Sequence, residues 1–283
     1  MRRTRIICTL GPASETSEVI ERMILAGTDT FRLNMSHAKH EWVRDIVPRV
    51  RSIAQKCKRN VGLLLDTQGP AIRTGMLTKD LELAVGDTLE ITIGDAKATE
   101  PNSITVNYDG LIDDVSVGDV VLLDNGPMQV RVQEKKDNRI RTAVLTTGTL
   151  GSRRHINLPG VHVNLPALTE KDLADVALGI EIKVDFVALS FARKKEDLDQ
   201  LRRVLRKGGS SALVVAKIES ASAVKDLDKM IRAADIVLVA RGDLGIECPM
   251  EDLPIIQRRI VKRCLPIGKP VIVATQMLES MIE

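Results

Sequence analysis

Aromatic side chains are nearly missing from this sequence, which has one Trp, one Tyr and three Phe in 283 residues. So thin a supply leaves no platform on which bases stack, and no nucleic-acid-binding motif compensates, so nucleic acid is excluded as a partner. Charge of one sign is not in excess either. Lys plus Arg total 41 and Asp plus Glu 38, a net charge of +3, and the basic residues are spread along the chain. Cysteine is scarce: Cys8, Cys57, Cys248 and Cys264 stand far apart with no Cys-x-x-Cys pair. That spacing indicates neither a zinc site nor a disulfide framework and suits reduced thiols in a cytoplasmic protein. Long apolar runs are absent too. The run at residues 6–10 stops at Gly11-Pro12, too soon for a signal peptide or a membrane span, so no membrane partner is expected.

What the chain does have is rhythm. Residues 5–10, 30–35 and 61–65 read as short buried strands. Residues 14–26 between them carry Val19, Ile20, Met23 and Ile24 on one helical face and stop at Gly27. Residues 41–56 form a second helix in which Pro48 predicts a kink or a late start. From about residue 74 to 155 the helical period disappears, and alternating segments at 89–93, 120–123, 128–132 and 140–145 take over. Turn signals separate them at Ala84-Val85-Gly86-Asp87, Ser116-Val117-Gly118-Asp119, Asn125-Gly126 and Asp137-Asn138.

The first rhythm returns after Asn157-Leu158-Pro159-Gly160. Thr169 with Asp172 caps a helix to residue 180; strands follow at 185–191, 212–218, 236–240 and 271–274, with helices at 195–206, 221–233 and 253–264 between them. Parallel strands feeding helices suit either a doubly wound sheet or a closed barrel. Arg32, Asn34, Asp66, Ser190, Lys217, Glu219, Asp243 and Thr275 all stand where a strand gives way to its loop, and only a barrel brings so many strand ends round one centre. The expected fold is α/β: a (β/α)8 TIM-type barrel lacking its eighth strand, with a small all-β domain inserted after the third strand. Its barrel domain would occupy residues 1–73 and 157–283, and the inserted domain residues 74–156.

Lys217 and Glu219 end one strand and Asp243 follows the next. A cation beside two carboxylates suits a hard divalent metal with a phosphoryl or enolate oxygen, and equally suits a structural ion pair. Arg32, Asn34 and Ser36 alternate along an extended chain and can converge on one ligand, while Asp66 and Arg73 add a carboxylate and a second arginine for phosphate recognition. His37 by itself reads as a hydrogen-bonded structural residue. Gly242-Asp243-Leu244-Gly245 reads as a tight turn opening a short helix, with amides free to hold a carboxylate or phosphate oxygen.

Taken together, residues 32–37, 66–73, Asn157-Leu158-Pro159-Gly160, Lys217-Ile218-Glu219, 240–245 and 273–281 resemble pyruvate kinase in order and spacing, from Thr4 to the last residue. The resemblance implies glycolytic transfer of the phosphoryl group of phosphoenolpyruvate to ADP, giving ATP and enolpyruvate, which is then protonated to pyruvate. It implies that Glu219 and Asp243 hold Mg²⁺ or Mn²⁺, and that Lys217, Arg73 and Thr275 are catalytic. Arg32, Ser190, Lys217, Gly242, Asp243 and Thr275 would face phosphoenolpyruvate or pyruvate. Arg32, Asn34, His37 and Arg73 would face the nucleotide. Asn34, Ser36, Asp66 and the carbonyl of Thr67 match positions for K⁺.

The sequence departs from the family at several places. Gln68 replaces a usual Lys, Ala38 a usual Gly, and Asp124-Asn125-Gly126 a usual Asp-Asp-Gly. Ala71 stands where K⁺-dependent members have Glu and K⁺-independent ones Lys, so the sequence assigns neither behaviour. In the family a further strand, a helix and a regulatory domain come next, and full-length members are homo-oligomers. The chain is therefore expected to be a fragment, self-associating and of little activity alone. Two other readings stay open: a metal-dependent lyase or aldolase acting on the pyruvate enolate, which needs no nucleotide lid, and a non-catalytic remnant.

Overall fold

A computed structural model describes residues 3–124, 126–161 and 163–275. Asn125, residues 276–281 of the last motif and the helix expected over 278–283 lie outside the described residues.

The chain begins with β1 (Ile7–Thr9), α1 (Ser17–Ala26), β2 (Thr30–Asn34), α2 (His40–Lys56) and β3 (Gly62–Asp66). Thr16 caps α1 by accepting from the Val19 amide, and Gly27 ends it at φ 109°, a left-handed conformation that costs glycine nothing. The helix α2 neither starts late nor breaks at Pro48. That residue is exposed, so the carbonyl it leaves without a donor lies on the wet side of the helix.

The inserted segment holds β4 (Leu81–Leu83), β5 (Thr88–Ile93), β6 (Ser103–Val106), a short α3 (Leu111–Asp114), β7 (Val120–Leu123), β8 (Met128–Lys136), β9 (Arg139–Val144), β10 (Gly148–Leu150) and β11 (Ile156–Asn157). Six strands form one sheet in the order β11-β7-β8-β9-β5-β6, and β4 pairs β10. The helix α3 and the strands β4, β6, β10 and β11 were not expected. Asp137 and Asn138 turn at φ 50° and 58°, the doubly left-handed hairpin their dipeptide signals. A core of its own, from Ile72 to Leu158, fills this segment.

After it come α4 (Glu170–Glu181), β12 (Phe186–Leu189), α5 (Lys195–Lys207), β13 (Leu213–Ile218), α6 (Ala221–Lys225), α7 (Leu227–Ala233), β14 (Ile236–Ala240), α8 (Arg241–Glu247), α9 (Leu253–Cys264) and β15 (Val271–Ala274). The single helix expected over 221–233 is two, broken at Asp226. The tight turn expected at 242–245 is the body of α8, and no residue there has a positive φ.

Seven parallel strands make the main sheet, in the order β1-β2-β3-β12-β13-β14-β15. Strand alternation sorts its side chains. Phe31, Leu33, Leu63, Leu65, Val187, Leu189, Val214, Ala216, Val237 and Val239 pack outward with the helices in one large core. Leu64, Ala188, Val215, Ile236, Leu238 and Ala240 point the other way and meet Ile7 and Ile272 from the two end strands. Contact between opposite ends of the sheet on one face means that the sheet curls, as a partial TIM-type barrel. Each end strand has a neighbour on one side only among the described residues, and β15 is half-buried throughout where β14 is fully buried.

Candidate active site

The inward rows of β2, β3, β12 and β13 carry polar residues at their C-terminal ends, and these converge above the small inner core. Asn34 lies opposite Asp66 in the β2–β3 register, which brings Arg32 beside that carboxylate. Arg32 donates to Asp66 Oδ2 through Nε at 2.7 Å and through a terminal nitrogen at 2.6 Å, and its other terminal nitrogen reaches Thr9 Oγ1 at 3.0 Å. Lys217 Nζ lies 3.2 Å from Asp66 Oδ1, 2.8 Å from Glu219 Oε1 and 2.8 Å from Ser190 Oγ. The Ser190 hydroxyl donates to the Thr67 carbonyl at 2.6 Å. The Phe191 amide donates to Glu219 Oε2 at 2.6 Å.

Burial makes these contacts strong. Side-chain exposure is 13% for Lys217, 2% for Asp66 and 1% for Glu219. Burial opposes the charge on Lys217, but Glu219 and Asp66 outweigh it and raise the ammonium pKa, so Lys217 stays a cation. Burial is also the main influence on Glu219, which is pushed up to about 7, with Asp243 adding to the push and Lys217 opposing it. A buried carboxylate made costly to ionise, with a second carboxylate adding to the push, is a place where a further cation is stabilised.

A cavity of about 420 Å³ opens over this cluster, lined by Thr9, Arg32, Asp66, Lys217, Asp243 and Thr275 among others. Thr275 has φ 62°, an unusual conformation for a β-branched residue, and its hydroxyl accepts from the Gly242 amide at 3.1 Å. Arg241 holds the carbonyls of Ala274 and Thr275. The Gly242 amide that the sequence assigns to a substrate carboxylate is thus engaged with Thr275 here.

Not every expected residue joins the cluster. Ser36 and His37 are exposed on the turn after β2, where the Ser36 amide donates to Asn34 Oδ1 at 3.2 Å. Arg73 sits on the stem of the inserted segment. Its amide donates to Asn107, its guanidinium donates to the Arg153 carbonyl at 3.0 Å, and burial lowers its pKa. Opposite it, His155 is also lowered, by burial first and then by Arg73.

Sequence reasoning missed Thr9, Phe191, Arg241 and His155. Thr9 and Arg241 act through contacts with residues remote in sequence, and Phe191 acts through an amide that every residue but proline possesses. Only the Ser-Phe pair at the end of β12 could have drawn notice.

The family model described as "Pyruvate kinase, barrel domain" matches residues 1–283. The chain is 44% identical over 285 residues to a pyruvate kinase of Bacillus licheniformis, a match covering 99% of this chain and 48% of that protein. It is 44% identical over 284 residues to one of Geobacillus stearothermophilus and 39% over 284 to one of Staphylococcus epidermidis, with the same coverages. The chain spans about half the length of the curated relatives it matches.

Proposed function

Because the chain belongs to the pyruvate kinase family, we propose that the cavity at its strand ends moves the phosphoryl group of phosphoenolpyruvate to ADP and releases pyruvate and ATP. The observation that carries this reading is Lys217, held as a cation among Asp66, Ser190 and Glu219 on the wall of a cavity that Arg32, Asp243 and Thr275 also line.

A phosphoryl group in flight spreads negative charge over its oxygens, and a fixed, desolvated ammonium stabilises that charge more than it stabilises the substrate. Lys217 is such a group. Arg32, pinned by Asp66 and Thr9, presents its guanidinium to phosphate oxygens, and Arg73 approaches them from the stem. The amides at the start of α8 receive the substrate carboxylate once it replaces the Thr275 hydroxyl, which leaves Thr275 beside the methylene carbon where enolpyruvate gains its proton. The inserted segment, with its separate core, serves as a lid over the nucleotide; the division at 1–73, 74–156 and 157–283 is part of this proposal.

Glu219 and Asp243 fit a divalent ion: they are hard oxygen donors whose mutual repulsion a cation relieves. Mg²⁺ or Mn²⁺ held there would neutralise phosphate charge. The K⁺ set fits less well. Ser36 is exposed on the turn after β2 while Asp66 and Thr67 are buried, so the four groups are not gathered round one point and no step is assigned to K⁺. A coupled assay for pyruvate from phosphoenolpyruvate and ADP with Mg²⁺, run on the longest product of this chain's locus, is expected to show turnover that Glu219→Gln removes. Turnover that Glu219→Gln leaves unchanged overturns the assignment.

A further inference from the structure

Glu219 is gripped at both oxygens, by Lys217 at Oε1 and by the Phe191 amide at Oε2. The residue supplying that amide is in a costly conformation: Phe191 has φ 54°, a region bulky side chains rarely enter. Its neighbour across the site makes the conformation possible. Gly69 has φ 73°, and a β-carbon there would stand 2.8 Å from Phe191 Cδ2 and 3.0 Å from Ser190 Cβ. The aromatic ring therefore rests on bare backbone.

Gly69 is itself anchored. Its amide donates to Asp172 Oδ1 at 3.0 Å, and Asp172 Oδ2 accepts from the Thr169 amide at 3.0 Å and the Thr169 hydroxyl at 2.7 Å. Asp172 is fully buried, in the capping box that starts α4. One line of contacts thus runs from the first turn of α4 through Gly69 and the Phe191 ring to the peptide that aims Glu219. A glycine at position 191 would turn the chain without strain. The strained phenylalanine does more than turn it, because its ring on Gly69 fixes the direction of the N–H.

We propose that Phe191 is a positioning residue for the divalent-metal site: seated on Gly69, it presets the Glu219 carboxylate to face the ion. The inference rests on the reading of Glu219 and Asp243 as the metal carboxylates. Groups that orient a metal-binding side chain without touching the ion typically change affinity by about 10- to 100-fold when lost.

The test is Mn²⁺ titration followed by paramagnetic resonance of the free ion, with and without phosphoenolpyruvate, beside urea unfolding of each variant. Phe191→Gly keeps the N–H but frees the peptide and is expected to weaken Mn²⁺ binding about tenfold; Gly69→Ala, which displaces the ring, is expected to do the same. Phe191→Tyr, whose ring borders a cavity of about 370 Å³, is expected to keep the parental affinity. Leu205→Ala, in the helix-packed core, should lose stability and leave affinity unchanged. Parental affinity in Phe191→Gly, or equal weakening in Leu205→Ala, overturns the positioning role. Parental Mn²⁺ binding by Glu219→Gln overturns the metal reading instead, and no Mn²⁺ binding to the parent under either condition overturns both.

Discussion

The outer and inner faces of the seven-stranded sheet are made by the same strands and follow different rules. β13 sends Val214, Ala216 and Ile218 outward into the helix-packed core, and Val215 and Lys217 inward. Outside, large aliphatic side chains close one continuous core; inside, six small or aliphatic residues give way at the strand ends to charges that pair with one another and with neighbouring hydroxyls and an amide. Parity along a strand therefore separates what holds the fold from what acts on a ligand.

The largest effect expected is on the inner face. Lys217→Met should cut turnover by about 10²- to 10³-fold, the scale of losing one stabiliser of transition-state charge. It should also lower stability, by roughly 3–5 kcal/mol, because Asp66 and Glu219 stay buried with one counter-charge fewer. Adding Glu219→Gln should restore most of the stability in urea unfolding and none of the turnover. If the pair regained turnover, the inner face would be scaffold rather than machinery. On the outer face, Leu65→Ala should cost about 2–5 kcal/mol of stability with kcat and KM unchanged in the folded protein. A fall in kcat there would break the division by parity.

A smaller effect sharpens the boundary between the faces. Thr9→Val removes the acceptor of one Arg32 nitrogen and should raise KM for phosphoenolpyruvate a few-fold, a loss of about 0.5–1.5 kcal/mol, with kcat nearly unchanged. The smallest effect belongs to the stem, on neither face. Burial lowers the His155 pKa, so between its folded value and about 6.5 the unfolded chain binds the extra proton. The contribution of His155 to stability should then be flat above about pH 6.5 and fall as pH drops toward the folded value, against the opposite slope that Glu219, raised to about 7, gives below that pH. His155→Gln should remove the His155 slope in urea midpoints measured across the range.

How much of this was legible depended on the range of the cause. The barrel strands were visible because both of their faces are buried, which writes them as continuous apolar runs ending in charge. The capping role of Asp172 was visible because it is local, yet its grip on Gly69 joins residues 103 apart and leaves no local trace. In the inserted segment, β4, β6 and β10 are only three or four residues long, too short for an alternating pattern to stand out. At Gly242 the short helix was legible and the turn before it was not there: Gly-Asp favours turns, but the chain leaving a fully buried strand continued directly into α8.

The meeting of Arg73 with His155 bears on the order in which the chain assembles. The Thr67 hydroxyl donates to the Ala188 carbonyl across 121 residues of sequence, the junction between the two parts of the barrel. Closing a loop that long as free coil is slow, and its entropy must be spent before any strand contact rewards it. The inserted segment has a core of its own, and its stems run together where Arg73 bridges His155 and the Thr74 amide donates to the Arg154 carbonyl. Once that core forms, the distance the chain must search shrinks to the short stretches flanking the stem. What interrupts the barrel in sequence is, in time, the splice that lets β3 find β12.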